Sequence, residues 1–173
     1  GLIDHILTSD EQGKTWSEPR KLILPYPDNA HYAATGNGVH GLQLGSGRLV
    51  IQAGYTTAPT ADRKHWHCCV FYSDDGGERW NLGATTSVGS IREFTMAQLA
   101  DGRVYCNFRN PWGDTGRRLV SRAEDVSQSF GEIRPDETLP CPAVHAGLFH
   151  LPHCEATGGP LTVFTCQPYE NHN

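Results

Sequence analysis

Short apolar runs separated by turn-forming residues recur along the whole chain. Each run spans a few residues, carries many β-branched or aromatic side chains, and is bounded by Gly, Pro, Asn or Asp. Runs of this kind are typical of β-strands rather than helices. The pattern therefore predicts an all-β fold.

The predicted strands fall into four groups. Two strands come first, a long connection follows, and then come two groups of four strands and a final group of two. Their predicted positions are 3–8 and 16–24; 41–44, 48–55, 66–72 and 80–83; 93–99, 104–109, 118–121 and 130–133; and 146–151 and 161–166. Gly-containing turns at 45–47 and 100–102 occupy the same place in the two groups of four. The groups therefore resemble repeats of one four-stranded sheet.

An octapeptide at 73–80 follows the pattern Ser, spacer, Asp, spacer, Gly, two spacers and an aromatic residue. Residues 9–16 and 123–130 repeat this pattern, but the first copy departs from it at one position and the third copy at more. Ser and Asp side chains hydrogen-bond nearby backbone amides in tight turns, and Gly adopts the positive φ that such turns need. We therefore predict that each octapeptide is a hairpin turn between the last two strands of a sheet.

The aromatic residues that close the three octapeptides, Trp16, Trp80 and Phe130, lie 64 and 50 residues apart. Four-stranded propeller blades recur about every 40 to 50 residues, and insertions lengthen the interval. The spacing therefore predicts about three blades of a β-propeller. Because the strand groups begin and end within a repeat, we expect one partial propeller domain over 1–173, incomplete at both ends.

The formal net charge of −5 comes without any run of basic residues. Because nucleic-acid binding depends on neutralising phosphates with Lys and Arg, we predict no nucleic-acid partner. No apolar stretch approaches the roughly 18 residues of a membrane span, and residues 1–5 lack the features of a signal peptide. Met96 is the only methionine and the chain starts at Gly1, which favours a processed product or a fragment of a longer reading frame. A secreted, a periplasmic and a lysosomal location stay open.

Six cysteines and nine histidines raise the question of disulfides and metals. The chain is too long and core-rich to resemble a small disulfide scaffold, so free buried thiols are the preferred interpretation. The adjacent Cys68 and Cys69 should face opposite sides of a strand. His65, His67 and Cys69 alternate with a spacing compatible with zinc, but no fourth ligand lies nearby in sequence, and the histidines at 145–153 are irregularly spaced. We predict neither a metal nor a cofactor.

The most specific stretch of the sequence is 93–110. A Glu opens the first strand, a Leu-x-Asp-Gly-Arg turn follows, and Asn-x-Arg-Asn closes the second strand. Together with the octapeptides, the glycine-rich segment 36–44 and the segment 141–147, this stretch resembles the exo-α-sialidases (neuraminidases). The resemblance covers essentially the whole chain and implies a six-bladed propeller of four-stranded antiparallel sheets. It also implies a sialic-acid-containing glycoconjugate as the partner.

Two residues match functional positions of that family. Arg109 matches one of three arginines that clamp the carboxylate of sialic acid, a group that planar guanidinium binds bidentately. Glu93 matches the glutamate that hydrogen-bonds the nucleophilic tyrosine and acts as its base. A phenol, with an ordinary pKa of about 10, needs such a base at neutral pH, and tyrosine avoids the repulsion between two carboxylates. The resemblance thus implies a catalytic role for Glu93 and a substrate-binding role for Arg109.

Three further residues are weaker candidates. His40 and Tyr55 lie near the ends of inner strands and could line the ligand site, but support of the turns is the favoured interpretation. Tyr169 is tempting as the nucleophile. In the family's order, however, that tyrosine follows a third arginine, which itself comes after the segment that 166–171 resembles. We therefore interpret Tyr169 as a loop residue.

Several of the family's functional positions have no counterpart in this sequence: the first and third arginines, the aspartate that serves as general acid and base, and the nucleophilic tyrosine. Our hypothesis is that the parent protein is a retaining exo-α-sialidase and that the isolated 173 residues are inactive. The alternative is a non-catalytic propeller that binds carbohydrate or protein, in which Glu93 and Arg109 are coincidental, because a fold does not determine a function.

Overall fold

The computed structural model describes residues 4–35, 40–59, 63–87, 89–91, 93–110, 116–140 and 144–167. Its strands are β1 (Asp4–Ile6), β2 (Arg20–Leu22), β3 (Tyr32–Thr35), β4 (Leu42–Gln43), β5 (Leu49–Thr56), β6 (Trp66–Ser73), β7 (Asn81–Thr85), β8 (Phe94–Gln98), β9 (Val104–Phe108), β10 (Arg117–Ala123), β11 (Arg134–Pro140), β12 (Gly147–Cys154) and β13 (Gly159–Thr165). One turn of 3₁₀ helix, Arg63–His65, accompanies them. The prediction of an all-β fold is confirmed.

The described strands form four antiparallel sheets, and neighbouring strands follow one another in sequence except that β3 pairs with β5 rather than with β4. Sheet 1 contains β1 and β2, sheet 2 contains β3 to β7, sheet 3 contains β8 to β11, and sheet 4 contains β12 and β13. The predicted grouping of strands is therefore confirmed. The prediction of six blades in a complete ring stays a prediction.

Sheet 2 contains a strand that the sequence did not predict, because β3 lies within the predicted long connection. Both β3 and β4 pair with the same edge of β5, Thr35 opposite Ala53 and Leu42 opposite Val50. Between these two pairs the chain advances by seven residues on one side but by three on β5, so β3 and β4 do not form one regular strand. Most of the glycine-rich segment, 36–39, lies outside the described residues.

The last strand of sheet 3 begins at Arg134, so its predicted position at 130–133 was wrong. Phe130 is 3% exposed and packs in T-shaped geometry against Phe94 and Phe108. The next residue, Gly131, has a φ of 72°, which favours glycine. The chain therefore buries its aromatic residue and turns before it pairs with β10.

Three apolar cores lie on the faces of the sheets. The largest lies between sheets 2 and 3 and includes Val50, Cys68 and Val70 from one side and Met96 and Phe108 from the other. A second core covers the opposite face of sheet 2, and a third joins sheet 3 to sheet 4. The sheets therefore stack face to face, as blades of a propeller do.

The cysteines follow this arrangement. Cys68 belongs to the core between sheets 2 and 3, whereas Cys69 belongs to the core on the other face of sheet 2, so the prediction that they face opposite sides is confirmed. Cys68, Cys69 and Cys106 are free and buried, and Cys154 and Cys166 are free and half-buried. Cys141 lies outside the described residues.

The octapeptide at 73–80 forms the predicted turn between β6 and β7. The Gly77 amide donates to Ser73 Oγ at 2.9 Å, and the amides of Glu78 and Arg79 donate to Asp75 Oδ1 at 3.1 and 2.9 Å. Gly77 has a φ of 94°. These hydrogen bonds stabilise the charged form of Asp75, so they lower the pKa of its carboxyl group.

The two less complete copies of the pattern keep part of this network. In the first copy the Gly13 amide still donates to Ser9 Oγ at 2.9 Å, and the turn joins β1 to β2. In the third copy the Ser127 amide donates to Asp125 Oδ1 at 2.8 Å, and the turn leads from β10 towards β11. The turn role predicted for all three octapeptides is therefore confirmed. Within the described ranges, no helix is long and apolar enough to cross a membrane.

Candidate functional site

Glu93 and Arg109 meet at one end of the hairpin formed by β8 and β9. Phe94 pairs with Phe108 at the end of the ladder, and Glu93 and Arg109 are the next two residues outward. The Arg109 amide donates to the Glu93 carbonyl at 2.9 Å, which extends the ladder by one bond. The hairpin thus brings together two residues that are sixteen positions apart in sequence.

The two side chains form an ion pair. Arg109 Nη1 donates to Glu93 Oε1 at 2.7 Å, and the side chains of Glu93 and Arg109 are 17% and 20% exposed. A charge-assisted hydrogen bond of this length, shielded from most of the solvent, fixes the orientation of both groups. The family resemblance implies that both residues belong to one site, and the structure brings their side chains into direct contact.

Both charged side chains project towards sheet 4. Successive side chains of a strand point to opposite faces, and Phe94 and Phe108 belong to the core between sheets 2 and 3. Glu93 and Arg109 therefore project from the other face of sheet 3, where β12 packs against β8. The pair lies at a boundary between two stacked sheets.

His145 approaches Glu93 from the segment that precedes β12. Its Nε2 lies 3.9 Å from Glu93 Oε2, and its side chain is 43% exposed. No sequence pattern predicts His145 at the site, because the contact joins two different sheets. The only signal was that His145 lies within 141–147, one of the segments that carry the family resemblance.

A fully buried arginine lies beside this group. Arg118 on β10 is 1% exposed, and it donates from Nε to Asn107 Oδ1 and from Nη1 to the Val144 carbonyl, each at 2.7 Å. Its guanidinium also lies 5.8 Å from the ring centre of Phe164. Arg118 therefore links sheet 3 to sheet 4. Sequence reasoning placed it in a strand but assigned it no functional part.

An open cavity of about 400 Å³ adjoins His145. Its lining residues come from one end of sheet 4, where β12 begins and β13 ends: His145, Ala146, Gly147, Thr165, Cys166 and Gln167. His145 thus lines this cavity and also approaches the Glu93 carboxylate. A ligand group of modest size has room to reach the histidine.

The Glu93–Arg109 pair offers two chemical functions. Arg109 Nε is buried and has no hydrogen-bond partner among the described residues, so the guanidinium keeps donor capacity for a further acceptor. Glu93 uses Oε1 for Arg109, which leaves Oε2 as a second acceptor. The arrangement suits recognition of an anion beside a carboxylate that accepts a proton.

The weaker candidates lie elsewhere. Tyr55 is 7% exposed and stacks on His67 with ring centres 5.4 Å apart, and burial raises the pKa of its phenol. His67 Nδ1 lies 2.8 Å from the Thr86 carbonyl.

Within the part of the chain that the structure describes, no group of three or more His, Cys, Asp or Glu residues is arranged to hold a metal ion. His40 has no described contact with the pair, and Tyr169 lies outside the described residues.

Stacked antiparallel sheets whose last two strands are joined by Asp-containing octapeptide turns define a β-propeller module. The profile of the BNR repeat-like domain matches residues 2–155. Sialidase-4 of Mus musculus is 34% identical over 145 residues, which cover 75% of this chain and 29% of that protein. A sialidase of Bacteroides fragilis is 26% identical over 127 residues, 72% of this chain and 22% of that protein. The chain therefore belongs to the BNR-repeat family of sialidases.

Solved structures agree on the fold. The Hadza microbial sialidase Hz136 matches with a TM-score of 0.73 at 22% identity, over 92% of this chain and 30% of that one. A Trypanosoma rangeli sialidase matches with a TM-score of 0.61 at 18% identity, over 94% of this chain and 27% of that one. The predicted fold class and family resemblance are confirmed. The chain spans about a third or less of the length of these relatives, and the roles of Glu93 and Arg109 stay predictions.

Proposed function

We propose that this chain supplies Glu93 and Arg109 to the active site of a retaining exo-α-sialidase, which removes terminal sialic acids from glycoconjugates. The observation that carries the proposal is the 2.7 Å contact between Arg109 Nη1 and Glu93 Oε1 at the end of one hairpin. A cation suited to anion binding and a carboxylate suited to accept a proton are held together there.

In this proposal Arg109 binds the carboxylate of the sugar. That carboxylate is ionised at neutral pH, and a planar guanidinium holds it with two parallel hydrogen bonds, which fixes its orientation. The described contacts of Arg109 leave its Nε without a partner. Recognition by Arg109 sets the position of the anomeric carbon before the glycosidic bond breaks.

Glu93 acts as the base for a tyrosine nucleophile. Its Oε2 accepts the phenolic proton as the phenolate oxygen attacks the anomeric carbon, and the leaving alcohol takes its proton from a separate acid. Water then hydrolyses the tyrosyl-sugar intermediate with retention of configuration. The nucleophile, the acid and two further arginines belong to parts of the family's fold that these 173 residues do not supply, so the isolated chain is inactive.

A fluorogenic sialoside tests the proposal. The protein that contains this chain should release the fluorophore, and Arg109→Lys should lower its kcat/KM by about 10²–10³, because a lysine cannot reproduce the two-pronged contact. Arg79→Lys is the matched control, since the Arg79 side chain is 91% exposed in a turn. Turnover by the isolated chain would contradict the account of missing residues.

The same assay separates the alternative function. A non-catalytic propeller would bind a carbohydrate or a protein without turnover. In that case the Glu93–Arg109 ion pair would only stabilise the hairpin. Absence of turnover by the longer protein, together with retained binding of sialylated glycans by its Arg109→Lys variant, would favour that alternative.

A further inference from the structure

We propose that His145 is a positioning residue for Glu93, and that the buried Arg118 holds it there across the boundary between sheets 3 and 4. The inference rests on the proposed role of Glu93 as a base. It assigns a function to two residues that lie outside the pair predicted from the sequence. In this proposal, residues from two sheets form the site.

The Glu93 carboxylate lies between two nitrogen groups. Oε1 accepts from Arg109 Nη1 at 2.7 Å, whereas Oε2 lies 3.9 Å from His145 Nε2. A distance of 3.9 Å is too long for a hydrogen bond, but it is short enough for attraction between opposite charges. His145 therefore faces the oxygen that Arg109 leaves unused.

Arg118 explains why His145 stands at this place. Its Nη1 donates to the carbonyl of Val144, the residue directly before His145, at 2.7 Å. Its Nε donates at the same distance to Asn107 Oδ1, two positions before Arg109 on β9. Because alternate residues of a strand share a face, Asn107 lies on the face that carries Arg109. One guanidinium thus ties the strand of the ion pair to the segment of His145.

A second close contact fixes the far side of this segment. A Cβ atom at Gly147, the first residue of β12, would lie 2.6 Å from Thr165 Oγ1. The backbone therefore lies close to the Thr165 side chain of β13 two residues after His145. The segment 144–147 is held at Val144 by Arg118 and at Gly147 by the packing of sheet 4.

The charge of His145 decides what Glu93 Oε2 can do. The titratable or charged groups that neighbour this segment are Glu93, just before β8; Arg109, which bonds to Glu93; Arg118 of β10, which bonds to the Val144 carbonyl; and Cys166, which lines the same cavity as His145. Histidine changes its charge between about pH 5 and 8 in proteins. A protonated His145 attracts Oε2, so it fixes the orientation of the carboxylate together with the Arg109 bond at Oε1.

The electrostatic coupling between His145 and Glu93 can be measured without substrate by NMR. The sample is the 173-residue chain labelled with ¹³C at its glutamate carboxyl groups. During a pH titration, the Glu93 carboxyl resonance should show a displacement that follows the titration of the His145 ring. His145→Gln should abolish this displacement. His153→Gln, an exposed histidine of β12, is the matched control and should leave it unchanged. An identical Glu93 titration in the wild type and in His145→Gln would overturn the proposal.

The anchoring role of Arg118 needs its own measurement. Arg118→Lys keeps the charge but lacks the planar guanidinium that bonds Asn107 through Nε and Val144 through Nη1, so the coupled displacement should be lost although His145 is present. If this variant fails to fold, the wild-type chain provides the test of the anchor. Its Arg118 guanidinium protons should show nuclear Overhauser contacts to residues 144–145. Retained coupling in a folded Arg118→Lys, or absence of those contacts, would contradict the anchor.

The outcome is independent of sialoside turnover. Coupling without any turnover by the longer protein would refute the proposed function and leave the His145–Glu93 contact intact. Loss of turnover in Arg109→Lys without any coupling would refute the role of His145 and leave the function intact.

Discussion

Sheets 2 and 3 share one strand plan but differ at the end of their second strand. In sheet 2, β5 ends in a buried stack of Tyr55 on His67. In sheet 3, β9 ends in the ion pair of Arg109 with Glu93, beside the buried Arg118. The turns and the core define the scaffold in both sheets, whereas the proposed function depends on the residues at the strand end of sheet 3.

The largest expected effect is a loss of activity when a residue of the Glu93–Arg109 pair is replaced. Glu93→Gln should lower kcat/KM for a fluorogenic sialoside by about 10²–10⁴, the usual contribution of a general base. Tyr55→Phe, in the aromatic stack at the end of β5 in sheet 2, should change it by less than about threefold, because only an interior hydroxyl is removed. Steady-state kinetics of the protein that contains this chain decides. Equal losses in both variants would show that the two ends do not differ in function.

The shared scaffold is tested by removing one core phenylalanine from each sheet. Phe71 and Phe108 are both fully buried, so Phe71→Ala and Phe108→Ala should each lower the free energy of unfolding by about 3–5 kcal/mol in urea titrations. Phe149→Ala, at a position 45% exposed, is the control and should cost less than about 1 kcal/mol. A large loss in only one sheet would argue against equivalent cores.

A smaller effect compares the most complete copy of the turn with a less complete one. Ser73 is fully buried and its Oγ accepts from the Gly77 amide and donates to Asp75. Ser73→Ala should therefore lower the free energy of unfolding by about 1–2 kcal/mol. Ser9→Ala should cost less, because the bond from Gly13 to Ser9 is exposed to water. Thermal unfolding of both variants tests this difference. Equal shifts in Tm would show that the extra hydrogen bonds at 73–80 add nothing to stability.

The smallest effect concerns acid. The pKa of Asp75 is lowered in the folded chain by hydrogen bonds from Arg79, Ser73 and Glu78. The unfolded chain therefore binds this proton more readily, so the stabilisation is complete above the ordinary carboxyl range of about 4 and is lost as the pH falls below it. Asp75→Asn should flatten the fall of Tm in that acid range and leave its slope near pH 7 unchanged. An unchanged acid slope would show that these hydrogen bonds are not the source of the acid sensitivity.

The scaffold was predictable from the sequence because its signals are local. Turn chemistry at 73–80 and the alternation of apolar residues each concern a few neighbouring positions, and the sheets and octapeptide turns follow from them. The contact between Glu93 and Arg109 was also predictable, since one tight hairpin joins them.

The missed features depend on contacts between distant parts of the chain. β3 pairs with β5 across an insertion, and no local pattern reports that pairing. The fourth strand of sheet 3 is delayed because Phe130 is drawn into a core built by other strands. His145 and Arg118 join the site only through the packing of sheet 4 on sheet 3. Tertiary packing, rather than sequence pattern, therefore completes the site.

The most direct test is a crystal structure of the protein that contains this chain, with sialic acid bound. We expect the Arg109 guanidinium to lie about 2.7–2.9 Å from the sugar carboxylate, with Glu93 Oε2 facing a tyrosine hydroxyl at the anomeric carbon. A sugar carboxylate bound away from Arg109, with the Glu93–Arg109 pair unchanged and remote from the ligand, would contradict the proposed function.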